Sequence, residues 1–208
     1  MAARIALGVT GDVGSGKSTV LSWLVGRGAV TLDADRVVAE LLARDGHIGR
    51  RVEERFGPGV RASGGGIDHA RLAAIVFGDA GALRDLERVV HPAVRVAVER
   101  WLAAAEPGVE RGVAAVEAVK LVESGLHERM DALWLVLCDR AERRLRLRAR
   151  GWSRRDVDRR LEASGPLAPK LALASAVIDN SGSQRALDAQ LQVAWRRLAG
   201  GVLTGEPS

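Results

Sequence analysis

Residues 10–19 read TGDVGSGKST, directly behind the apolar run IALGV at 5–9. Small and hydroxylated residues crowd the stretch, a lysine follows, and two hydroxyls close it. Gly11, Gly16, Lys17 and Ser18 stand at the spacing G-x-x-x-x-G-K-[ST]. The apolar run reads as a short buried strand, and 17–27 (KSTVLSWLVGR) carries Val20, Leu21, Leu24 and Val25 at helical spacing. A glycine loop between a strand and a helix is the setting in which successive backbone N–H groups converge on phosphate oxygens.

Each part of the loop has a physical task. Glycines tolerate backbone angles and close approaches that a side chain would block. The helix beginning near Lys17 adds its N-terminal partial positive charge, Lys17 is expected to reach the β- and γ-phosphates, and the Ser18 hydroxyl is expected to ligate Mg²⁺. Gly11, Gly14, Ser15, Gly16, Lys17, Ser18 and Thr19 are thus the expected binding set for a nucleoside triphosphate, ATP, with Mg²⁺ as its companion.

Outward from the loop, AVTLDAD at about 29–35 reads as a second strand. Strand, loop, helix and strand in that order form a βαβ unit, which implies a parallel sheet. Asp33 sits at the carboxyl end of that strand, where such sheets gather ligands, and is the candidate base for the attacking hydroxyl. Asp35 is expected to cap the next helix, DRVVAELLA. Glu117, near the end of the third strand, is the competing carboxylate for a base or Mg²⁺ role.

From 36 to 105 the pattern is helical, with breaks at FGPGV and SGGG and a helix N-cap at Asp68. Strands resume at 112–119 (GVAAVEAV) and 132–139 (ALWLVLCD), where Cys138 reads as a small buried hydrophobe. Two charged helical segments flank Gly151, a last strand covers 175–180, and a helix closes the chain from about 184 to 199.

Lys and Arg number 31 against 26 Asp and Glu, a net charge of +5, and only Lys17, Lys120 and Lys170 are lysines. Arginine's planar fork suits anionic ligands, although most of these arginines read as solvated helix faces. A nucleic-acid binder would interleave them with aromatics, which make up 3% of the chain, and Trp152 alone adjoins the arginine run. No nucleic-acid partner is expected. A GTP-dependent switch would carry Asp-x-x-Gly after the third strand, whereas that spacing occurs at Asp179–Gly182, and the sole asparagine, Asn180, precedes Ser181. One cysteine excludes an intrachain disulfide, and no apolar stretch has the roughly 18 residues of a spanning helix, so a cytoplasmic protein without a membrane partner is expected.

The stretches GVTGDVGSGKST, LDAD, His91-Pro92, VESGLHERMD and VIDNSG, in this order and at these separations, resemble the dephospho-coenzyme A kinase family over about residues 4–199. The resemblance implies transfer of the γ-phosphate of ATP to the 3′-hydroxyl of dephospho-coenzyme A, the last step of coenzyme A biosynthesis, by a monomer or weak homo-oligomer. It implies an α/β fold, with a three-layer P-loop NTPase core, a parallel sheet, a helical substrate-binding insertion and a helical lid. One kinase domain over 1–200 is expected, with core 1–35, 110–140 and 170–200, substrate region 36–105 and lid 141–165, then a disordered tail at 201–208.

By the same resemblance Asp33 is the catalytic aspartate, His91 marks the substrate side, and Asn180 lies in the turn beside the adenine. The paired lid arginines fit either Arg144 with Arg148 or Arg146 with Arg150; Arg148 and Arg150 are the expected catalytic pair. Val119 and Lys120 stand where many members carry proline and leucine, and Ser164 where many carry glutamine. The alternative is another P-loop small-molecule kinase, such as a nucleoside monophosphate kinase.

Overall fold

The computed structural model describes residues 5–44, 46–105, 112–162 and 165–201. Strand β1 (Ile5–Thr10) is buried along its whole length, because IALGVT offers no charged side chain to either face. A strand of that composition belongs in the middle of a sheet covered on both sides. The five strands run in the order β2-β3-β1-β4-β5, with β2 (Val30–Asp33), β3 (Val113–Ala118), β4 (Ala132–Leu137) and β5 (Ala176–Asp179). The pairs β1–β3, β1–β4 and β4–β5 are parallel, so the carboxyl ends of these four strands share one edge of the sheet. The register sets Val9 opposite Glu117 and Gly8 opposite Leu133.

Helix α1 (Lys17–Val25) returns from β1 and buries Val20, Leu21 and Leu24 in one cluster with Leu7, Val9, Trp134, Val136 and Ile178. Leu187 and Leu191 of α9 (Gln184–Gly201) join it. Burying one such aliphatic side chain contributes about 1.5–3 kcal/mol. The two helices are also stapled by polarity: the Trp23 indole donates to Asp188 over 2.6 Å and meets Trp195 edge-on with centroids 6.1 Å apart. This is the framework behind the phosphate loop.

Contacts divide the chain into two units, residues 1–32 with 105–208, and residues 33–104. The second unit is helical: α2 (Ala34–Ala43), α3 (His47–Phe56), α4 (His69–Val76) and α5 (Ala80–Ala104). Beyond Asp33, the last residue of β2, its only β contact among the described residues is an isolated bridge from Arg61 to Ile67. Asp68 caps α4 as its sequence suggests, accepting from the N–H groups of Ala70 and Arg71. Helix α5 runs unbroken through His91 and Pro92. A proline there removes one backbone hydrogen bond. The line of Val90, Val94, Val98 and Leu102, all buried, holds the helix across it.

Several boundaries differ from the sequence expectation. Strand β2 ends at Asp33, two residues before the end of the apolar pattern, so α2 begins at Ala34 and its N-cap is Asp33, not Asp35. The Asp33 carboxylate accepts from Arg36 N–H at 3.1 Å. Cys138 lies beyond the end of β4 and is half-buried, so it is not a core strand residue. Helices α6 (Arg140–Ala149) and α7 (Arg154–Glu162) do flank Gly151, but a short α8 (Leu167–Leu173) follows that the sequence pattern did not reveal. Gly201 closes α9; the remainder of the expected tail, 202–208, and Ser164 lie outside the described residues.

Candidate active site

The loop between β1 and α1 is held in one shape by its glycines. Gly16 caps α1 at φ 93°, and a Cβ there would collide with the Asn180 side chain. Gly11 has φ 151°, and a Cβ there would collide with the Val136 carbonyl. Ser15 N–H donates to Asp12 O at 3.1 Å, and Thr19 N–H to Gly16 O at 3.0 Å. The Thr10 hydroxyl ties the end of β1 to β3 through Ala118 O at 2.9 Å. Ser15 is 1% exposed, and its hydroxyl has no hydrogen-bond partner among the described residues.

Lys17 is only 6% exposed, and its amine donates to Asp12 O at 3.4 Å and lies 3.6 Å from Glu117 Oε1. The parallel register delivers Glu117 there, since β3 reaches the same edge of the sheet as the end of β1. Ser18 and Thr19 are exposed in the first turn of α1. Hydroxyl and carboxylate oxygens are the hard donors Mg²⁺ takes, and it is usually bound through one or two of them plus substrate phosphates. Ser18 and Glu117 fit that pattern. Among the described residues no group of three His, Cys, Asp or Glu side chains forms a metal cage.

Long-range contacts lock the loop from outside. The Asn180 amide donates to Ser15 O at 2.8 Å from a 6% exposed position. Arg146 donates to Asn180 O at 2.8 Å and Ser15 O at 3.4 Å. Arg143, 8% exposed, bonds Val13 O at 3.0 Å and Asp12 Oδ2 at 2.9 Å. Val13 packs on the apolar seam of α6 and α7 formed by Leu147, Val157 and Leu161. Lys170, 2% exposed, donates to Val119 O at 3.2 Å, with Glu123 Oε1 at 3.2 Å and Asp12 Oδ1 at 3.9 Å. The unusual Val119 therefore serves through its carbonyl.

The structure does not bring Arg148 and Arg150 to the loop. Both are exposed at the end of α6, with Arg148 donating to Trp152 O at 2.7 Å, while Arg144 pairs with Asp158 at 2.8 Å. Helical phase is the reason: positions three and four apart share a face, so Arg143, Arg146 and Leu147 turn one way, and Arg144 and Arg148 another. In the helical unit, Asp33 is exposed at the cap of α2 and His91 is half-buried in α5.

A cleft of about 440 Å³ is lined by Asp12, Ser15, Cys138, Arg143, Lys170 and Asp179, among others. Burial pushes the Cys138 thiol above its ordinary pKa. The Ser181 hydroxyl and N–H, both donating to Asp179 Oδ1, hold that carboxyl below the usual carboxylate range.

Asp12, Arg143, Glu123 and Lys170 escaped the sequence reading. Lys170 did carry a signal: it is one of three lysines in an arginine-rich chain. Arg143 carried none, standing in a run of similar arginines.

A family model described as Dephospho-CoA kinase matches residues 5–186. The dephospho-CoA kinase of Geobacter sulfurreducens is 37% identical over 193 residues, covering 92% of this chain and 97% of its own. That of Symbiobacterium thermophilum is 37% identical over 207 residues, 97% of this chain and 84% of its own. The structure of dephospho-CoA kinase from Campylobacter jejuni superposes with a TM-score of 0.68 at 21% identity, over 96% of this chain and 99% of that one, a likeness of fold.

Proposed function

The chain belongs to the dephospho-coenzyme A kinase family and phosphorylates the 3′-hydroxyl of dephospho-coenzyme A with ATP, the last step of coenzyme A biosynthesis; from that premise we propose which residues do the work. The loop Gly11–Thr19 cradles the phosphates with its amides, and the Lys17 amine moves from Asp12 O and Glu117 onto the β- and γ-phosphate oxygens. Ser18 and Glu117 would hold the Mg²⁺ that accompanies ATP, which supplies charge neutralisation at those oxygens.

Asp33 accepts the proton of the 3′-hydroxyl as that oxygen bonds the γ-phosphorus and ADP leaves with the bridging oxygen and its electron pair. Its support is its place at the end of β2, in a class of sheets that gather ligands at the strand carboxyl ends. Asn180, with Arg146, supports the loop on the adenine side. Arg148 and Arg150, on the lid 141–165, close over the transferring phosphate. The helical region 36–105, with His91, receives the acceptor. The chain works in the cytoplasm, as a monomer or weak homo-oligomer.

The observation that carries the site is the buried Lys17 amine, held beside a carboxylate at the mouth of a glycine loop. The test is incubation with Mg²⁺, ATP and a panel of acceptors, with products identified by mass spectrometry. Coenzyme A and ADP are expected from dephospho-coenzyme A. A nucleoside monophosphate phosphorylated far faster would overturn the acceptor assignment.

A further inference from the structure

Asp12 is the second residue of the glycine loop, and two buried cations converge on its carboxylate: Arg143 from α6 at 2.9 Å and Lys170 from α8 at 3.9 Å. Arg143 grips two successive loop residues at once, since its Nε donates to Val13 O while its Nη1 donates to Asp12 Oδ2. A guanidinium's rigid fork can hold two acceptors in fixed relation, which an ammonium cannot. Lys170 extends the tie, because the same amine bonds Val119 O just past β3 and lies 3.2 Å from Glu123. The peptide fixed in this way is functional, for Asp12 O accepts from Ser15 N–H in the loop and, until ATP draws it away, from the Lys17 amine.

We propose that Asp12 is a positioning residue for phosphoryl transfer: clamped by Arg143 and Lys170, it fixes the loop peptide that sets the loop amides in register and from which the Lys17 amine swings to the phosphates. It touches neither phosphate nor acceptor in this role. The proposal rests on the assignment of Gly11–Thr19 as the ATP loop. A negative charge at this point opposes the binding of a polyanion, so its presence cannot serve affinity. Its benefit falls on the geometry of transfer, where small misplacements of catalytic groups are costly.

Opposite signs for affinity and turnover follow. Asp12→Asn keeps the side chain's size and removes its charge, leaving Arg143 and Lys170 less balanced beside the phosphates. The ATP dissociation constant is expected to stay level or tighten by up to about tenfold, while kcat falls by about tenfold or more. The double variant Asp12→Asn/Arg143→Gln removes both charges, leaves Lys170 with Glu123, and keeps amide hydrogen bonding between positions 12 and 143. It is expected to lose little kcat beyond Asp12→Asn alone, well short of the combined losses of Asp12→Asn and Arg143→Gln made singly, whereas independent losses of fold stability at the two positions would add.

ATP binding by calorimetry, steady-state rates with dephospho-coenzyme A, and thermal unfolding of each full-length protein decide the matter. An unchanged kcat in Asp12→Asn, a kcat loss that matches its unfolded fraction, or additive losses in the double variant would each overturn the clamp. Failure of the unsubstituted protein to bind ATP would instead overturn the loop assignment on which the proposal stands.

Discussion

Asn180 Nδ2 donates to Ser15 O over 2.8 Å, joining two residues 165 positions apart in the chain. The bond fastens the turn after β5 to the crest of the phosphate loop, and Gly16 has no side chain because that amide occupies the space. Asn180→Ala removes this bond and leaves Ser15 O the longer, 3.4 Å donation from Arg146, a loss of about 0.5–1.5 kcal/mol. Chemical denaturation should show that loss. The KM for ATP should rise together with it, because the loop is then no longer held in its binding shape.

Asp33 is the proposed base and Glu117 the competing carboxylate, and the structure gives them different neighbours. Asp33 caps α2, and asparagine caps as well as aspartate, so Asp33→Asn should leave stability nearly unchanged. If Asp33 is the base, single-turnover rates should fall by roughly 10²- to 10⁴-fold with ATP affinity intact. Glu117→Gln loosens the partner of Lys17 and should chiefly weaken Mg²⁺-ATP binding. The opposite assignment of losses would move the base to Glu117.

The arginines of α6 should fall into two groups. Arg146→Ala breaks bonds to Ser15 O and Asn180 O, so it should lower the thermal midpoint of the ligand-free protein as well as its activity. Arg148→Ala and Arg150→Ala remove exposed side chains and should leave the folding free energy within about 0.5 kcal/mol of unchanged. If the lid closes as proposed, these two should nevertheless lower kcat, measured with saturating ATP. Normal kcat in both would return them to a solvated helix face.

The turn after β5 should contribute stability that depends on pH. Ser181 lowers the folded-state pKa of Asp179, so the contribution is present above the unfolded carboxylate value and is lost as pH falls through the lowered one. Ser181→Ala should therefore destabilise the protein at neutral pH, and part of the difference should vanish in strong acid, where the carboxyl is protonated with or without its donor. The Ser181 hydroxyl also accepts from Asp139 N–H, which accounts for a pH-independent remainder. Urea midpoints for both proteins across the acid range measure the two parts.

The loop, the order of strands and helices, and the helical stretch after β2 were legible in the sequence because they depend on contiguous residues. Glycine spacing, period-3.6 apolar positions and unbroken apolar strands act over a few residues, and each keeps its meaning wherever the segment comes to lie. Asp33 as the cap of α2 was less legible, since Asp33 and Asp35 both suit a cap, and only the point where β2 leaves the sheet separates them.

Only the tertiary structure decided what secures the loop. Which arginine of α6 meets it depends on the phase of that helix, set by Val13 packing on Leu147, Val157 and Leu161. Lys170 became a junction because α8 lays it, almost wholly buried, against Asp12, Glu123 and Val119. A buried charge is tolerated where its partners are in place, and here those partners come from two separate stretches of chain, the phosphate loop and the turn after β3. Local sequence fixes which groups can carry charge and where the backbone can turn; pairing across 51 to 165 residues is set by the packing that brings them together.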